Sequence, residues 1–258
     1  MSKPIGTVTR GTTNPNRLRR VDRYIASLPQ AKFPNAVVVD LGYGASPITA
    51  VELHERLSKN NPSVRVVGVE IEKERVERGL AVAKPGLDFT HGGFEVPLPN
   101  GLESAAIIRA FNVLRQYDES EVADAWARMQ SRLAPKGVIV EGTCDEIGRL
   151  SSWITLDSSG PQTFTISLRL TGLETPSKVA ERLPKALIHH NVAGEAIHGW
   201  LEAIDKAWAT NAPLGTFGAV QRWLATCEQL LAAGWPIKVD RKRWRLGEIT
   251  IAWEAVKP

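Results

Sequence analysis

The stretch VVVDLGYGASPITAVEL, residues 37–53, decides the fold. Its β-branched residues and an aspartate predict a buried strand, and Gly42 and Gly44 follow at once. Helix-forming residues come next, with Ser46 expected as the cap and Pro47 at a position where a missing N–H is no loss. This order brings bare backbone close to a ligand at the carboxyl end of the strand.

Strand and helix patterns alternate on both sides of this turn. Strands are predicted at 36–40, 64–70, 87–91, 105–110 and 138–143, and helices at 17–28, 47–59, 72–83 and 119–133. The predicted fold class is therefore α/β, a Rossmann-like doubly wound and mostly parallel sheet.

The pattern changes after residue 143. A hairpin is predicted from 152–157 and 163–170, followed by helices at 177–183, 195–209 and 220–233. IKVDRKRW and ITIAWEAV predict a terminal antiparallel strand pair. We expect residues 1–258 to form a single domain, with a basic N-terminal arm (1–24) and an inserted hairpin-plus-helices cap (146–215) over the site.

Charge is concentrated at both ends of the chain, although the net charge is only +4. Residues 1–24 carry six basic residues against Asp22, and residues 238–245 carry five against Asp240. The basic residues are Lys3, Arg10, Arg17, Arg19, Arg20, Arg23, Lys238, Arg241, Lys242, Arg243 and Arg245. Such runs attract phosphates or simply form a solvated surface.

The composition favours a cytoplasmic protein. Cys144 and Cys227 are far apart and lack metal-ligand spacing, which fits a reducing compartment and predicts no metal site. The N-terminus has no apolar core typical of a secretory signal, and no apolar run is long enough to span a membrane.

Two nucleotide-binding patterns are disfavoured at the glycine turn. Pro47 stands where a dinucleotide fingerprint has its third glycine, and the next acid at a strand end, Glu70, is too far along the chain. No Lys-Ser/Thr pair follows Gly44, so the P-loop pattern is absent as well.

The motifs resemble those of the class I S-adenosylmethionine-dependent methyltransferases. VDLGYGAS, residues 39–46, is similar to their first motif, although Ser46 replaces the usual third glycine. GVEI, residues 68–71, is similar to the acidic second motif, and IRAFNVL, residues 108–114, to a fourth motif. The resemblance covers about residues 36–144 and 217–256.

The resemblance implies S-adenosyl-L-methionine as the cofactor. Asp40 would accept a hydrogen bond from its ammonium and Glu70 would accept from both ribose hydroxyls. Gly93 stands where the family often has an adenine-binding acid, so Phe94 and backbone N–H groups are expected to take that role, or affinity is reduced. The expected cofactor-binding residues are Asp40, Gly42, Tyr43, Gly44, Glu70, Ile71, Phe94, Ala110 and Asn112.

The resemblance does not identify the methyl acceptor. Catalytic candidates are Asn112, Asp145, Glu146 and His189, although acids and histidines at such positions are also common on loop surfaces. A small-molecule acceptor is favoured because an inserted cap suits an enclosed ligand. The alternatives are an RNA methyltransferase that uses the basic arm, and a noncatalytic cofactor-binding or RNA-binding protein with the same fold.

Overall fold

The computed structural model describes residues 4–9 and 13–258, so Lys3 and Arg10 of the predicted arm lie outside the described residues. The chain divides into two compact units. The first comprises Met1–Gly148 with Leu156–Gly160, and the second comprises Arg149–Thr155 with Pro161–Pro258. The single domain and the cap over the site stay predictions.

The first unit contains a parallel sheet in the order β3-β2-β1-β4-β5. Its strands are β1 (Val37–Leu41), β2 (Arg65–Glu70), β3 (Leu87–His91), β4 (Ala105–Phe111) and β5 (Leu133–Cys144). The strand order turns back at β1 and β4, which is the switch point where doubly wound sheets bind ligands. The predicted fold class is confirmed.

The four helices predicted in this unit are present. They are α1 (Arg19–Ser27), α2 (Ile48–Ser58), α3 (Lys73–Leu80) and α4 (Val122–Gln130). The predicted Ser46 cap is wrong, because Pro47 precedes α2 and the helix start has no side-chain cap hydrogen bond. The predicted helix from residue 119 begins as a 3-10 turn, Glu119–Glu121, with a capping box between Asp118 and Glu121.

The second unit contains the strand β8 (Glu248–Ala252) and most of the strands β6 (Leu150–Asp157) and β7 (Gly160–Leu168). β8 pairs antiparallel with β7, so the antiparallel pairing of the last strand is confirmed. The prediction that IKVDRKRW forms the partner strand is wrong. This segment makes one antiparallel bridge, Ile237 to Ile251, and then forms a short helix at Arg241–Trp244. The helices are α5 (Lys185–Ile188), α6 (Ala196–Thr210), α7 (Ala219–Ala232) and α8 (Arg241–Trp244).

Tryptophans form much of the core of the second unit. Trp153, Trp200 and Trp223 are fully buried, and the ring of Trp208 stacks against the guanidinium of Arg222. Among the described residues, no helix combines the length and the apolar character that crossing a membrane requires.

Candidate functional site

The turn after β1 requires its glycines. Gly42 and Gly44 have φ values of +66° and +85°, in the left-handed region that suits glycine. A Cβ on Gly42 would lie 2.7 Å from a methyl of Val113. The Gly44 N–H donates to the Glu70 carboxylate at 2.9 Å, so the turn is fixed against the end of β2.

Asp40, at the end of β1, is buried and paired with an arginine. Arg109 Nε donates to Asp40 Oδ1 at 2.9 Å, and the Thr49 hydroxyl donates to Asp40 Oδ2 at 2.8 Å. Arg109 also donates to the Thr49 carbonyl at 3.0 Å. The carboxylate therefore lines the turn while it neutralises a buried cation, a partner that the sequence did not indicate.

A chain of charges extends from Asp40 into α1. Arg109 also pairs with Asp22, and Asp22 pairs with Arg56 of α2 at 2.5 Å. Burial raises the pKa of Asp22 to about 6, in spite of the two guanidinium groups. Burial alone would lower the pKa of Arg109, but Asp40 and Asp22 outweigh it and raise that pKa.

Glu70, at the end of β2, is almost completely buried. Its carboxylate accepts the N–H groups of Gly44 and Ile71, both at 2.9 Å. Arg75 Nη1 lies 3.7 Å from the same carboxylate. These contacts hold the carboxylate in one orientation at the end of the strand.

The aromatic residues of the site have different surroundings. The Tyr43 ring is buried edge-to-face against Phe89, and its hydroxyl donates to the Arg75 carbonyl at 2.8 Å. Burial, together with the charges of Glu70 and Asp40, raises the pKa of Tyr43. Phe94 packs against Tyr117 with ring centroids 5.3 Å apart.

Asn112 joins the carboxyl ends of β4 and β5. Its φ is +59°, which asparagine tolerates better than most residues. Its Oδ1 accepts the Cys144 N–H at 3.1 Å, and its Nδ2 donates to the Cys144 sulfur at 3.3 Å. Burial raises the pKa of the Cys144 thiol, so this sulfur is a neutral neighbour of the site. Ala110 is buried within β4.

The other catalytic candidates divide between the two units. Asp145 and Glu146 follow β5, where their carbonyls accept hydrogen bonds from Arg17 at 3.1 Å and Asn14 at 3.2 Å. His189 is exposed at the end of α5 in the second unit. The structure thus places Asn112, Asp145 and Glu146 at the carboxyl ends of β4 and β5, and their catalytic roles stay predictions.

Two small cavities lie at the glycine turn, and Thr9 and Gly42 line both. The first, about 40 Å³, has polar and apolar surface in similar amounts, and its lining includes Arg17, Asp40 and Asn112. The second, about 20 Å³, is mostly apolar and includes Glu70, Ile71 and Phe94. Each has room for only a few water molecules.

The predicted basic arm is folded against this site in its described part. We call residues 4–9 the strap; its residues Ile5, Gly6, Thr7 and Thr9 line the second cavity together with Glu70. Arg17 lines the first cavity, and Arg19 donates to the carbonyls of Asn16 at 3.3 Å and Ile147 at 3.4 Å. These arginines therefore make specific contacts with the protein.

The second basic run is partly neutralised. Arg241 pairs with Glu228, and Arg243 pairs with the buried Glu248. In the described part of the chain, no group of three or more His, Cys, Asp or Glu side chains could hold a metal ion.

The sequence interpretation missed Glu141, an acid inside VIVEGT. It lies in β5 opposite Ala110, with 1% of its surface exposed. Within residues 4–9 and 13–258, neither carboxylate oxygen has a hydrogen-bond partner. Burial raises the pKa of Glu141 to about 8, so the group is mostly protonated at pH 7. The sequence does indicate this residue, because a charged side chain at 141 interrupts an apolar run that predicts a central strand.

Comparisons with known proteins found similarity only among solved structures. No protein-family model matches the chain, and no curated protein is similar to it. Human N-acetylserotonin methyltransferase in complex with SAM is 22% identical over 51% of this chain and 36% of that chain, with a TM-score of 0.37. The N-methyltransferase NodS of Bradyrhizobium japonicum is 19% identical over 49% of this chain and 66% of that chain, with a TM-score of 0.36.

A third structure is an O-methyltransferase of Planctomyces limnophilus in complex with apigenin. It is 19% identical over 52% of this chain and 40% of that chain, with a TM-score of 0.38. The chain covers between 36% and 66% of the lengths of these three structures. At such low identities and TM-scores these similarities do not decide what the chain does.

Proposed function

We propose that this protein is a class I S-adenosylmethionine-dependent methyltransferase. The observation that carries the proposal is the glycine turn between two buried carboxylates, Asp40 and Glu70, at the switch point of the sheet. One carboxylate lines a cavity of mixed polarity that also includes Arg17, and the other lines a mostly apolar cavity. This division suits a ligand with an amino-acid end and a nucleoside end.

The cavity that Asp40 lines suits the amino-acid end. Asp40 offers an anionic acceptor for an ammonium, since each carboxylate oxygen accepts more than one hydrogen bond. Arg17 is on the lining of the same cavity and supplies a cation for a carboxylate. An acid and an arginine facing one small space form a complementary pair for a zwitterion.

The apolar cavity suits the nucleoside end. Glu70 is a buried acceptor for the two ribose hydroxyls, and Ile71 and Phe94 provide apolar surface for a base. The Gly44 N–H fixes the Glu70 carboxylate, which lowers the cost of ordering it on binding.

Positioning accounts for the proposed chemistry. S-adenosylmethionine supplies an already activated methyl group, so orientation of the acceptor accounts for much of the acceleration. Asn112 fixes the ends of β4 and β5 where an acceptor would lie. Asp145 and Glu146 are the proposed acids for orienting or deprotonating an acceptor that carries a proton.

We favour a small-molecule acceptor over RNA. The ion pairs of Arg241 and Arg243 neutralise part of the basic charge, and Arg19 uses a guanidinium donor on backbone carbonyls, so fewer groups are available to phosphates. The proposal includes residues 146–215 as the cap over the site, with His189 as a further candidate base, and a cytoplasmic location, which the free thiols of Cys144 and Cys227 support.

Calorimetric titration with S-adenosylhomocysteine tests the proposal. We expect Glu70→Gln to weaken binding about tenfold to a hundredfold, because a charge-assisted acceptor is lost. Glu74→Gln, on the exposed first turn of α3, is the matched control and should bind like the wild type. Equal affinity in all three proteins contradicts the proposal. It is also contradicted if S-adenosylhomocysteine binds to no protein whose proposed binding residues are intact.

A further inference from the structure

Gly6 of the strap lies between the two residues proposed to flank adenine. A Cβ built on Gly6 would be 3.6 Å from Ile71 Cδ1 and 3.7 Å from Phe94 Cδ2, which is ordinary van der Waals contact. The strap backbone therefore passes through the space that the base would need. The remaining cavity of about 20 Å³ does not admit a nucleoside beside it.

The strap also uses a hydrogen-bonding group expected to bind the adenine. The Phe94 N–H donates to the Ile5 carbonyl at 2.9 Å. A Cβ on Gly93 would overlap that carbonyl, so the glycine at this position admits the strap. The position where related enzymes often have an adenine-binding acid is thus adapted here to the chain's own backbone.

Polar contacts attach the strap to the sheet edge. The Thr7 N–H donates to the Tyr117 hydroxyl at 2.5 Å, and Gln116 Nε2 donates to the Thr7 carbonyl at 3.2 Å. Arg75 Nη1, 3.7 Å from Glu70, donates to the Thr9 carbonyl at 3.2 Å.

The apolar residues of the strap face solvent. Ile5 is 38% and Val8 47% exposed, so the strap buries little apolar surface. Segments of this kind open at low free-energy cost, because their hydrogen bonds are readily exchanged for water.

We propose that the strap is a displaceable cover that competes with the adenosine part of the cofactor for one space. This inference rests on the proposed function and adds a regulatory step to it. Cofactor binds only to the open form, so its apparent dissociation constant is the intrinsic one divided by the open fraction. A change that destabilises the closed strap should then tighten binding without touching the cofactor.

Gly6→Ala provides the test. Gly6 has a φ of +136°, and an added Cβ would lie 2.9 Å from the Tyr117 hydroxyl, so alanine disfavours the closed strap. We expect S-adenosylhomocysteine to bind about fivefold more tightly, the factor that a strained glycine replacement of this size implies. Gly101→Ala, at φ +84° with nothing within 4 Å of the new Cβ, controls for backbone strain alone.

Hydrogen exchange supplies a second measurement. Added S-adenosylhomocysteine should speed exchange of the Thr7 amide, because its bond to Tyr117 is lost when the strap leaves. If Gly6→Ala binds no more tightly than Gly101→Ala, or if the ligand protects the Thr7 amide, the strap is part of the bound site and the proposal is wrong, while the proposed function stands. If no variant binds the ligand, the proposed function fails, and this inference with it.

Discussion

Replacement of Glu141 by glutamine should make the protein more stable at neutral pH. The folded-state pKa is about 8 and the ordinary value is 4.5, so the folded protein retains a proton that the unfolded chain releases. Between these two pH values the unfolded state binds fewer protons, and stability falls as the pH rises. Glutamine has nearly the same shape and does not titrate, so it removes this loss.

The size of the effect follows from the interval between pH 7 and 4.5, the ordinary pKa of the glutamate carboxyl group. Each unit corresponds to about 1.4 kcal/mol, so the carboxyl group costs about 3 kcal/mol at pH 7 and almost nothing at pH 4.5. The buried amide and the protonated carboxyl group are both neutral and polar, so their burial costs are similar. Glu141→Gln should therefore match the wild type in acid and exceed it by about 3 kcal/mol at pH 7.

Urea denaturation at pH 5, 6, 7 and 8 measures this difference. Glu103→Gln, at an exposed position, is the control and should follow the wild-type curve. A stability difference that stays constant across this range, or a Glu141→Gln protein less stable than the wild type at pH 7, would refute the reasoning.

The remaining predictions concern charge. Arg109→Met leaves the buried Asp40 without a cation and Asp22 with Arg56 alone, and should cost about 3–5 kcal/mol in thermal or urea unfolding. Arg65→Met, which breaks the exposed pair with Asp88, should cost less than about 1 kcal/mol, and equal losses would contradict this. Arg17→Met should weaken S-adenosylhomocysteine binding about tenfold and leave adenosine binding unchanged, and equal losses for both ligands would place Arg17 elsewhere. Bulk RNA should associate weakly at physiological salt, and a steep salt dependence would instead favour an RNA acceptor.

Local patterns predict the sheet well because each strand carries its own signal. β3 begins and ends as predicted, and β1 and β2 are each within one residue of their expected bounds. The segment IKVDRKRW, which the sequence predicted to pair with β8, could not be assigned in the same way. Asp240 accepts the N–H groups of Lys242 and Arg243, both at 3.1 Å, and this capping favours a short helix where the alternating pattern predicted a strand.

The site is predictable only where it depends on short sequence spacing. Asp40, Gly42, Gly44 and Glu70 can be found from the sequence because the turn and the two strand ends are local features. The pairing of Arg109 with Asp22 cannot, since 87 positions separate the two residues. The sequence analysis places the strap in a basic arm and does not predict its contact with the site. Gly92 and Gly93 after β3 do indicate that another backbone segment approaches closely there.

The ion pair between α1 and β4 has a consequence for the order of folding. Strand β4 carries an arginine into the centre of the sheet, and part of its neutralising charge arrives only when α1 docks. If the sheet assembles before α1 docks, Asp40 is the only one of the two acids that neutralises Arg109. Bringing Asp22 to Arg109 closes a separation of 87 residues, which carries an entropic cost. Docking of the N-terminal helix should thus belong to the rate-limiting barrier, which makes a helix outside the sheet a kinetic determinant of its central strands.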